Sequence, residues 1–159
     1  MPEQERFRTR AAVILLLFRE QAGQTEILLQ RRQNTGYADG LWDSAASGHV
    51  EEKESLRQAL AREAYEELGI TIAPENMQFV TVIHKFIPEL DDAYFTFYFQ
   101  AWQYNGQEII GEPQKCSELR WFPLQNLPDD LIIDRRLILQ HLRDGVPYDE
   151  LGWGEVSPL

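Results

Sequence analysis

Hydrophobic and polar residues alternate along the chain in patterns that predict both strands and helices. Residues 11–18 are apolar on both alternating faces, as in a central strand that is covered on both sides of a sheet. A turn at residues 20–25 separates this strand from a second one at 26–30, so we expect a hairpin. Further strands are predicted at residues 77–86, 93–104 and 118–122.

The strand predicted at 93–104 has two aromatic faces. We expect the first face to belong to the core; it carries Phe95, Phe97, Phe99 and Ala101. The opposite face includes Tyr94, Tyr98 and Trp102. Aromatic residues with a polar group either line a base-stacking pocket or pack beneath a helix, and packing is the favoured interpretation.

Residues 55–68 predict a helix of about four turns, because they include no Gly or Pro and are rich in strong helix formers. Ser55 and Gln58 have the spacing of a capping box, and Gly69 stands where a left-handed C-cap residue is needed. A second helix is predicted at residues 131–144. Its packing face is expected to consist of Leu131, Leu137, Ile138 and Leu142.

Length and charge narrow the classes of function. A chain of 159 residues suits one domain, which we assign to residues 1–159. The formal net charge of −11 argues against binding of long nucleic acid, because that requires a basic surface. The apolar run at 11–18 is too short to span a bilayer, and we identify no membrane segment and no export signal. The single cysteine, Cys116, is expected to be a partly buried small residue in a reducing cytoplasm.

The first predicted helix carries three carboxylates on one face. Glu63, Glu66 and Glu67 stand at positions i, i+3 and i+4, and like charges at this spacing repel by roughly 0.2 to 0.5 kcal/mol per pair. Only Glu66 has a basic residue at helical spacing, which is Arg62. A hard divalent cation, Mg²⁺ or Mn²⁺, is the natural partner for these oxygens. For an arbitrary Glu-rich helix, however, a solvated acidic face is the better interpretation.

The residues around this helix decide between the two interpretations. Residues 48–70 fit the pattern G-x5-E-x7-R-E-U-x-E-E-x-G-U, where U is an aliphatic residue. The nine defined positions are filled by Gly48, Glu54, Arg62, Glu63, Ala64, Glu66, Glu67, Gly69 and Ile70. This run resembles the complete motif of the Nudix hydrolases, the MutT-like family. The chain has Ala46-Ser47 where many members have Pro-Gly, and Lys53 where many have Gly, which bears on loop shape and substrate preference.

The resemblance implies a fold and an activity. The fold is an α/β class, Nudix-like α/β/α sandwich around a mixed β-sheet. The activity is hydrolysis of a nucleoside diphosphate linked to a group X, by attack of water on a phosphorus of the pyrophosphate. We expect a nucleoside triphosphate, cleaved to monophosphate and pyrophosphate, because the chain is compact and of MutT-like length. ADP-ribose or another nucleotide sugar is the second choice and capped RNA the third. A non-catalytic, nucleotide-sensing Nudix domain is the alternative of another class.

The resemblance also assigns residues to the metal site. Glu63, Glu66 and Glu67 are expected to bind Mg²⁺ or Mn²⁺ or to activate water, with the carbonyl oxygen of Gly48 as a further ligand. Family members often add one carboxylate from a later loop, and Glu112 is the choice here, ahead of Glu118. The motif does not settle the general base, for which we take Glu66.

Other residues are expected to orient these groups or to contact the substrate. Arg62 is expected to orient the carboxylates by ion pairing, and Glu54 to position the loop and the helix. A basic residue at the end of the second strand contacts substrate phosphates in MutT-like proteins, which points to Arg31 or Arg32. For each arginine alone, solvation and pairing with surface acids is an equally good interpretation.

The sequence also allows predictions for the roles of the three histidines and for the binding partner. His49, beside the motif glycine, is a candidate for substrate contact, whereas His84 is expected to be structural and His141 to lie at the surface. The partner is a small nucleotide, and a homodimer is left open.

Overall fold

The computed structural model describes residues 6–154, in which eight strands form a mixed sheet and two α-helices pack against it. The expected domain boundaries at residues 1 and 159 lie outside the described residues. The strands are β1 (Arg10–Gln21), β2 (Gln24–Arg32), β3 (Trp42–Ser44), β4 (Ala46–His49), β5 (Gln78–Ile87), β6 (Asp92–Ala101), β7 (Cys116–Pro123) and β8 (Tyr148–Leu151). The helices are α1 (Leu56–Leu68) and α2 (Ile133–Asp144), with 3₁₀ turns at Pro74–Asn76 and Pro88–Leu90.

Strand β1 is central, as its apolar pattern predicts. The order of the main sheet is β3-β2-β1-β6-β5-β8, with β1 parallel to β6 and antiparallel to β2. Strand β4 pairs with the first half of β1, where Val13 faces Gly48, whereas β2 pairs with the second half from Phe18 onward. Strand β7 pairs with β2. Strands β4 and β2 therefore separate from each other at the middle of β1. Strand β4 leads directly into the helix-forming motif.

The sheet is covered by a helix on each face. Alternate residues of β1, such as Val13 and Leu15, pack with Ala59 and Leu60 of α1. The residues between them, such as Ile14, belong to a second core with Ile138 of α2. This arrangement is the predicted sandwich of two helices around a mixed sheet, and it explains why residues 11–18 are apolar without interruption.

Helix α1 begins and ends as its sequence predicts. The Ser55 side chain accepts a hydrogen bond from the Gln58 backbone at 3.2 Å, and the Gln58 side chain accepts one from the Ser55 backbone at 2.8 Å. Gly69 adopts the left-handed conformation, with φ of 68°, and its N–H donates to the Tyr65 carbonyl. The capping box and the glycine C-cap are thus both confirmed.

Strand β6 is buried on both of its faces rather than on one. Phe99 belongs to the core under α1, as expected of the phenylalanine face. Tyr98, on the opposite face, is buried in the core under α2, so the packing interpretation is confirmed for this residue. Cys116 is buried, as expected.

The prediction for His141 is wrong. It is buried on α2, and its Nε2 lies 2.7 Å from the Asp149 carboxylate of β8. Strand β8 is short, was not predicted, and pairs in parallel with β5, which brings Asp149 against the helix. Leu131 is buried as expected but precedes α2, where it forms a bridge with Trp42. Neither helix of the described region has the length and apolar character needed to cross a bilayer.

Candidate active site

The motif glycine brings β4 into contact with α1. A Cβ atom placed on Gly48 would lie 2.0 Å from Oε1 of Glu63, so no other residue fits without moving that carboxylate. One residue earlier, the Ser47 N–H donates to Oε2 of Glu67 at 2.8 Å. Strand β4 therefore lies directly against two of the three glutamates that the sequence predicts as metal ligands.

Arg62 connects the parts of the motif. Its Nε donates to Oε1 of Glu54 at 2.8 Å and its Nη2 to Oε2 of the same carboxylate at 3.1 Å. Nη2 also donates to the His49 carbonyl, while Nη1 reaches Glu63 at 2.7 Å and Glu66 at 3.4 Å. The guanidinium thus fixes the loop before α1 relative to the helix, which supports the orienting roles expected of Arg62 and Glu54.

No basic residue stands at helical spacing from Glu63, but Arg62 pairs with it from the adjacent position. The spacing rule for helices considers only residues three or four apart. The forked guanidinium, held by Glu54, nevertheless reaches the carboxylate of the next residue. These contacts raise the pKa of Arg62 further above its usual range and lower the pKa of Glu54.

The three glutamates of α1 lie in different environments. Glu66 is exposed, with 47% of its side chain accessible, whereas Glu63 and Glu67 are partly buried. Burial raises the pKa of Glu67 to about 8, and the negative charges of Glu63, Glu112 and Asp43 add to this effect against the Ser47 hydrogen bond. Burial also raises the pKa of Glu63, although Arg62 opposes the shift. The site therefore concentrates negative charge where water is partly excluded.

Glu112 reaches this face because its loop is attached to the end of α1. The Ile109 N–H donates to the Leu68 carbonyl at 2.9 Å, and the Gly111 N–H donates to the Glu67 carbonyl at 2.8 Å. The negative charge of Glu112 raises the pKa of both Glu63 and Glu67. Glu118, the second choice for the extra carboxylate, lies instead beside Arg31 and Arg120.

The donor atoms fit a hard divalent cation. Carboxylate oxygens and a backbone carbonyl are the ligands that Mg²⁺ and Mn²⁺ prefer, and a cation would offset the charge that raises the pKa of Glu67. Within residues 6–154, no three His, Cys, Asp or Glu side chains are already arranged to hold a metal. Oxygens of Glu63 and Glu66 are directed to Arg62 instead.

Of the two arginines at the end of β2, only Arg32 lines the cavity beside the motif. Its three guanidinium nitrogens donate to the Tyr37 carbonyl, to Asp43 and to the Thr35 hydroxyl. Arg31 packs over the Trp42 ring and approaches Glu118 and Asp130 at 3.7 and 3.6 Å. The register of β2 shifts between the two residues, so they do not follow the simple alternation of a regular strand.

The cavity, of about 190 Å³, lies where β4, β6 and α2 meet. Its polar lining includes Ser47, Gly48 and His49 of β4, so the strand that contacts the glutamates also forms a wall of the cavity. His49 therefore lies beside a cavity large enough for one ring system, and its contact with substrate stays a prediction. Tyr94, Thr96 and Tyr98 line it from the second face of β6. That face therefore packs beneath α2 and lines a cavity at the same time.

Sequence reasoning missed a buried charged group in the cavity wall. Asp43, only 1% exposed, accepts from Arg135 at 2.6 Å and from Arg32 at 2.9 Å. Arg135 also donates to the Tyr98 hydroxyl at 2.8 Å. Burial would raise the pKa of Asp43, but the two arginines outweigh it and the pKa is lowered. The available signal was an acidic residue within the otherwise uncharged run at 41–48.

Comparison with known proteins identifies a family model described as NUDIX domain, which matches residues 8–142. The chain is 35% identical over 103 residues to an NAD-capped RNA hydrolase, NudC, of Stutzerimonas stutzeri, covering 65% of this chain and 34% of that protein. It is 32% identical over 97 residues to the NudC of Escherichia coli O1:K1, covering 60% and 34%. The chain thus spans about a third of the length of these curated relatives.

Solved structures show the same fold. A MutT NUDIX hydrolase from Burkholderia pseudomallei aligns with a TM-score of 0.73 at 24% identity, over 86% of this chain and 99% of that one. The NUDIX domain of Shewanella oneidensis NrtR, solved in complex with ADP ribose, aligns with a TM-score of 0.69 at 21% identity, over 88% and 90%.

Proposed function

The chain belongs to the Nudix family and is a hydrolase, and from that premise we propose that it cleaves the pyrophosphate of a nucleoside diphosphate linked to a group X, using Mg²⁺ or Mn²⁺. One observation carries this proposal: Gly48 contacts Glu63 and also lines the cavity. A nucleoside held in the cavity would therefore direct its phosphates along β4 toward the glutamates of α1.

We assign the cation to Glu63, Glu66, Glu67 and Glu112 and to the carbonyl of Gly48. When bound, Mg²⁺ or Mn²⁺ neutralises charge on the phosphate oxygens and lowers the pKa of water. Arg62 holds Glu63 and Glu66 in position, and Glu54 holds Arg62. Glu66 accepts the proton of the attacking water at a carboxylate oxygen, an assignment supported by its exposure and its long contact with Arg62. Arg32 and His49 face the nucleotide from the cavity wall.

The proposal keeps three classes of substrate, which are nucleoside triphosphates, dinucleotides and nucleotide sugars such as ADP-ribose. A nucleoside triphosphate is supported by the size of the cavity, which suits a single ring system. A dinucleotide is supported by the relatives named as NAD-capped RNA hydrolases. The intact set of motif carboxylates favours catalysis over a non-catalytic sensing domain. The net charge of −11 still favours small nucleotides over long nucleic acid.

The test is release of phosphate, pyrophosphate or nucleoside monophosphate from nucleoside triphosphates, nucleotide sugars and dinucleoside polyphosphates, with Mg²⁺ or Mn²⁺. We expect turnover of one class, lowered at least about 100-fold by Glu66→Gln and by Glu67→Gln. Glu75→Gln, at an exposed glutamate of the Pro74–Asn76 turn, is the matched control and should retain full activity. Turnover that persists in chelator, or in both site variants, would overturn the assignment.

A further inference from the structure

The loop between β6 and β7 carries Glu112 and is long for a connection without regular structure. Residues 102–115 form no helix and no strand, and one isolated bridge joins Asn105 to Thr71. Connections of this length are uncommon inside compact domains and are often functional. Ordering such a loop costs conformational entropy, so contacts with the rest of the fold must hold it in one conformation. The contacts of its side chains therefore indicate what fixes its shape.

Glu108, in the middle of this loop, joins the two strands that the loop connects. Its Oε2 accepts a hydrogen bond from the Tyr104 hydroxyl at 2.9 Å, and its Oε1 accepts one from Nε1 of Trp121 at 3.0 Å. Tyr104 follows β6 and Trp121 lies on β7, and both rings pack against the core under α1. The half-buried carboxylate thus holds the loop to two rings of the core.

The contacts of Glu108 favour its ionised form. Burial would raise its pKa, but hydrogen bonds from its own backbone, from Trp121 and from Tyr104 outweigh burial and the pKa is lowered. Hydrogen bonds to an ionised group are about twice as strong as those between neutral groups. Arg19 lies over the Trp121 ring, 4.3 Å from its centroid, and donates to Glu26 at 2.6 Å. Glu108 therefore binds strongly to a ring that is itself held in place.

Beyond Glu108, the loop reaches the last turn of α1. The next N–H, that of Ile109, donates to the Leu68 carbonyl at 2.9 Å, and this carbonyl is one of the four that a helix end leaves without an internal partner. Glu112 comes three residues later, and its negative charge raises the pKa of Glu67. A displacement of Glu108 would therefore move the contact with the helix end and the Glu112 carboxylate together.

We propose that Glu108 is a positioning residue for the metal site: by binding Tyr104 and Trp121, it sets the position of Glu112 relative to the glutamates of α1. The proposal rests on the function proposed above, in which Glu112 binds the cation. Glu108 does not line the cavity, so its effect on the site passes through the loop. Removing its carboxylate frees the loop, and ordering the loop again when metal binds costs conformational entropy that weakens the binding.

Binding of Mn²⁺ to the nucleotide-free protein, measured from the electron paramagnetic resonance signal of free Mn²⁺, tests this role without requiring turnover. Glu108→Ala removes both acceptor oxygens, and we expect the dissociation constant for Mn²⁺ to rise at least about tenfold. Glu108→Gln should stay within about threefold of the wild type, because its carbonyl oxygen can accept from Trp121 and its amide can donate to the Tyr104 hydroxyl. Glu75→Ala, which removes one negative charge from an exposed turn, is the matched control and should not change the affinity.

Two further variants show whether the effect passes through Glu112. In a Glu112→Ala background, which already lacks that ligand, Glu108→Ala should weaken Mn²⁺ binding by less than about twofold more, because the two changes affect the same contact. Tyr104→Phe removes one of the two hydrogen bonds and keeps the ring in place, so it should fold even if Glu108→Ala does not. We expect about a threefold loss of Mn²⁺ affinity in Tyr104→Phe.

The outcomes separate this inference from the proposed function. Wild-type Mn²⁺ affinity in Glu108→Ala, or in Tyr104→Phe where Glu108→Ala does not fold, would overturn the inference, because Glu108 would then stabilise the fold only. Additive losses in the double variant would overturn it too. If the losses are not additive and no substrate is hydrolysed, the inference stands and the proposed function is wrong. If a substrate is hydrolysed while Glu108→Ala and Glu112→Ala bind Mn²⁺ normally, the proposed reaction stands and the inference is wrong.

Discussion

Among the glutamates of the site, Glu67 has the pKa that burial and neighbouring charges raise most. Its carboxylate is partly buried and lies in the field of Glu63, Glu112 and Asp43, while one backbone N–H donates to it. The ordinary pKa of 4.5 is thereby raised to about 8. Without a cation, the folded protein therefore keeps a proton on Glu67 that the unfolded chain has already lost.

The stability of the metal-free protein should fall as pH rises from about 5 to 8. In this window the folded state binds more protons than the unfolded state, so the free energy of unfolding decreases with pH by up to about 1.4 kcal/mol per pH unit. Well below pH 4.5 and well above pH 8, Glu67 contributes no slope. Thermal melts in chelator measure this dependence, and Glu67→Gln should flatten it and stabilise the protein at pH 8.

Glu75→Gln serves as the control for these melts, because it also removes one negative charge but from an exposed turn. Its melting temperature should follow the wild-type dependence on pH. Added Mg²⁺ should raise the melting temperature more at pH 8 than at pH 5, since the cation competes with the proton for the carboxylate. A Glu67→Gln protein that keeps the full wild-type slope would contradict the raised pKa.

Arg62→Lys should lower kcat without unfolding the protein. Lysine keeps the charge but offers one nitrogen, whereas the guanidinium contacts Glu54, Glu63, Glu66 and the His49 carbonyl together. Substitution of a residue that orients metal ligands typically lowers metal affinity or activity by about 10- to 100-fold. We expect a loss of that size in kcat and a higher Mg²⁺ concentration at half-maximal rate. A loss confined to the melting temperature, with unchanged Mg²⁺ dependence, would mean that Arg62 has only a structural role.

At the scale of elements, the loop before β7 controls where Glu112 lies relative to α1. Gly111 makes this possible, because a Cβ there would lie 2.1 Å from the Glu66 carbonyl oxygen. Gly111→Ala should push the loop away from the helix end and weaken the hydrogen bond to the Glu67 carbonyl. We expect a loss of about 1 to 3 kcal/mol in stability and at least a tenfold loss in kcat, because small displacements of catalytic groups are costly.

Gly154→Ala is the matched control for this loop, since a Cβ at Gly154 meets nothing within 4 Å. Urea unfolding and initial rates should both remain at wild-type values in that variant. If Gly111→Ala loses stability but keeps its full kcat, Glu112 is not held in place by this contact. The assignment of Glu112 to the cation would then lose its structural support.

The sequence predicts well those elements that depend on residues close to one another in the chain. The caps of α1 involve Ser55, Gln58 and Gly69, which are all close in the chain, so their pattern is sufficient. Strands β3, β4 and β8 have only three or four residues each and form through pairing with distant strands. Their apolar patterns are too short to identify alone. The burial of His141 depends on β8 and was missed for the same reason.

Within the site, the motif predicts which residues take part but not how they contact one another. The glutamates proposed as metal ligands and Arg62 follow from spacing on one helix. The choice of Arg32 over Arg31 as a cavity residue depends on a register shift in β2, which no local pattern shows. The role of Arg135 depends on contact with Asp43, 92 residues away in the chain. Long-range ion pairs of this kind carry no periodic signal.

At the scale of the whole molecule, the buried Asp43 connects three parts of the fold. It lies on β3, accepts from Arg32 of β2 and from Arg135 of α2, and through Arg135 is joined to Tyr98 of β6. This group is one of the polar contacts between α2 and the sheet at the cavity wall, beside the ion pair of Lys85 with Asp134. Its two arginines and one carboxylate leave a net positive charge beside the proposed nucleotide site.

Asp43→Asn should therefore destabilise the protein. Removing the buried carboxylate leaves two partly buried guanidinium groups without their counter-ion, and breaking a buried ion pair typically costs about 3 to 5 kcal/mol. Tyr98→Phe removes only one hydrogen bond from the same group and should cost about 1 kcal/mol. Urea unfolding measures both losses. Equal losses of stability in the two variants would show that the charge of Asp43 does not hold α2 to the sheet, because the ion pair would then contribute no more than a neutral hydrogen bond.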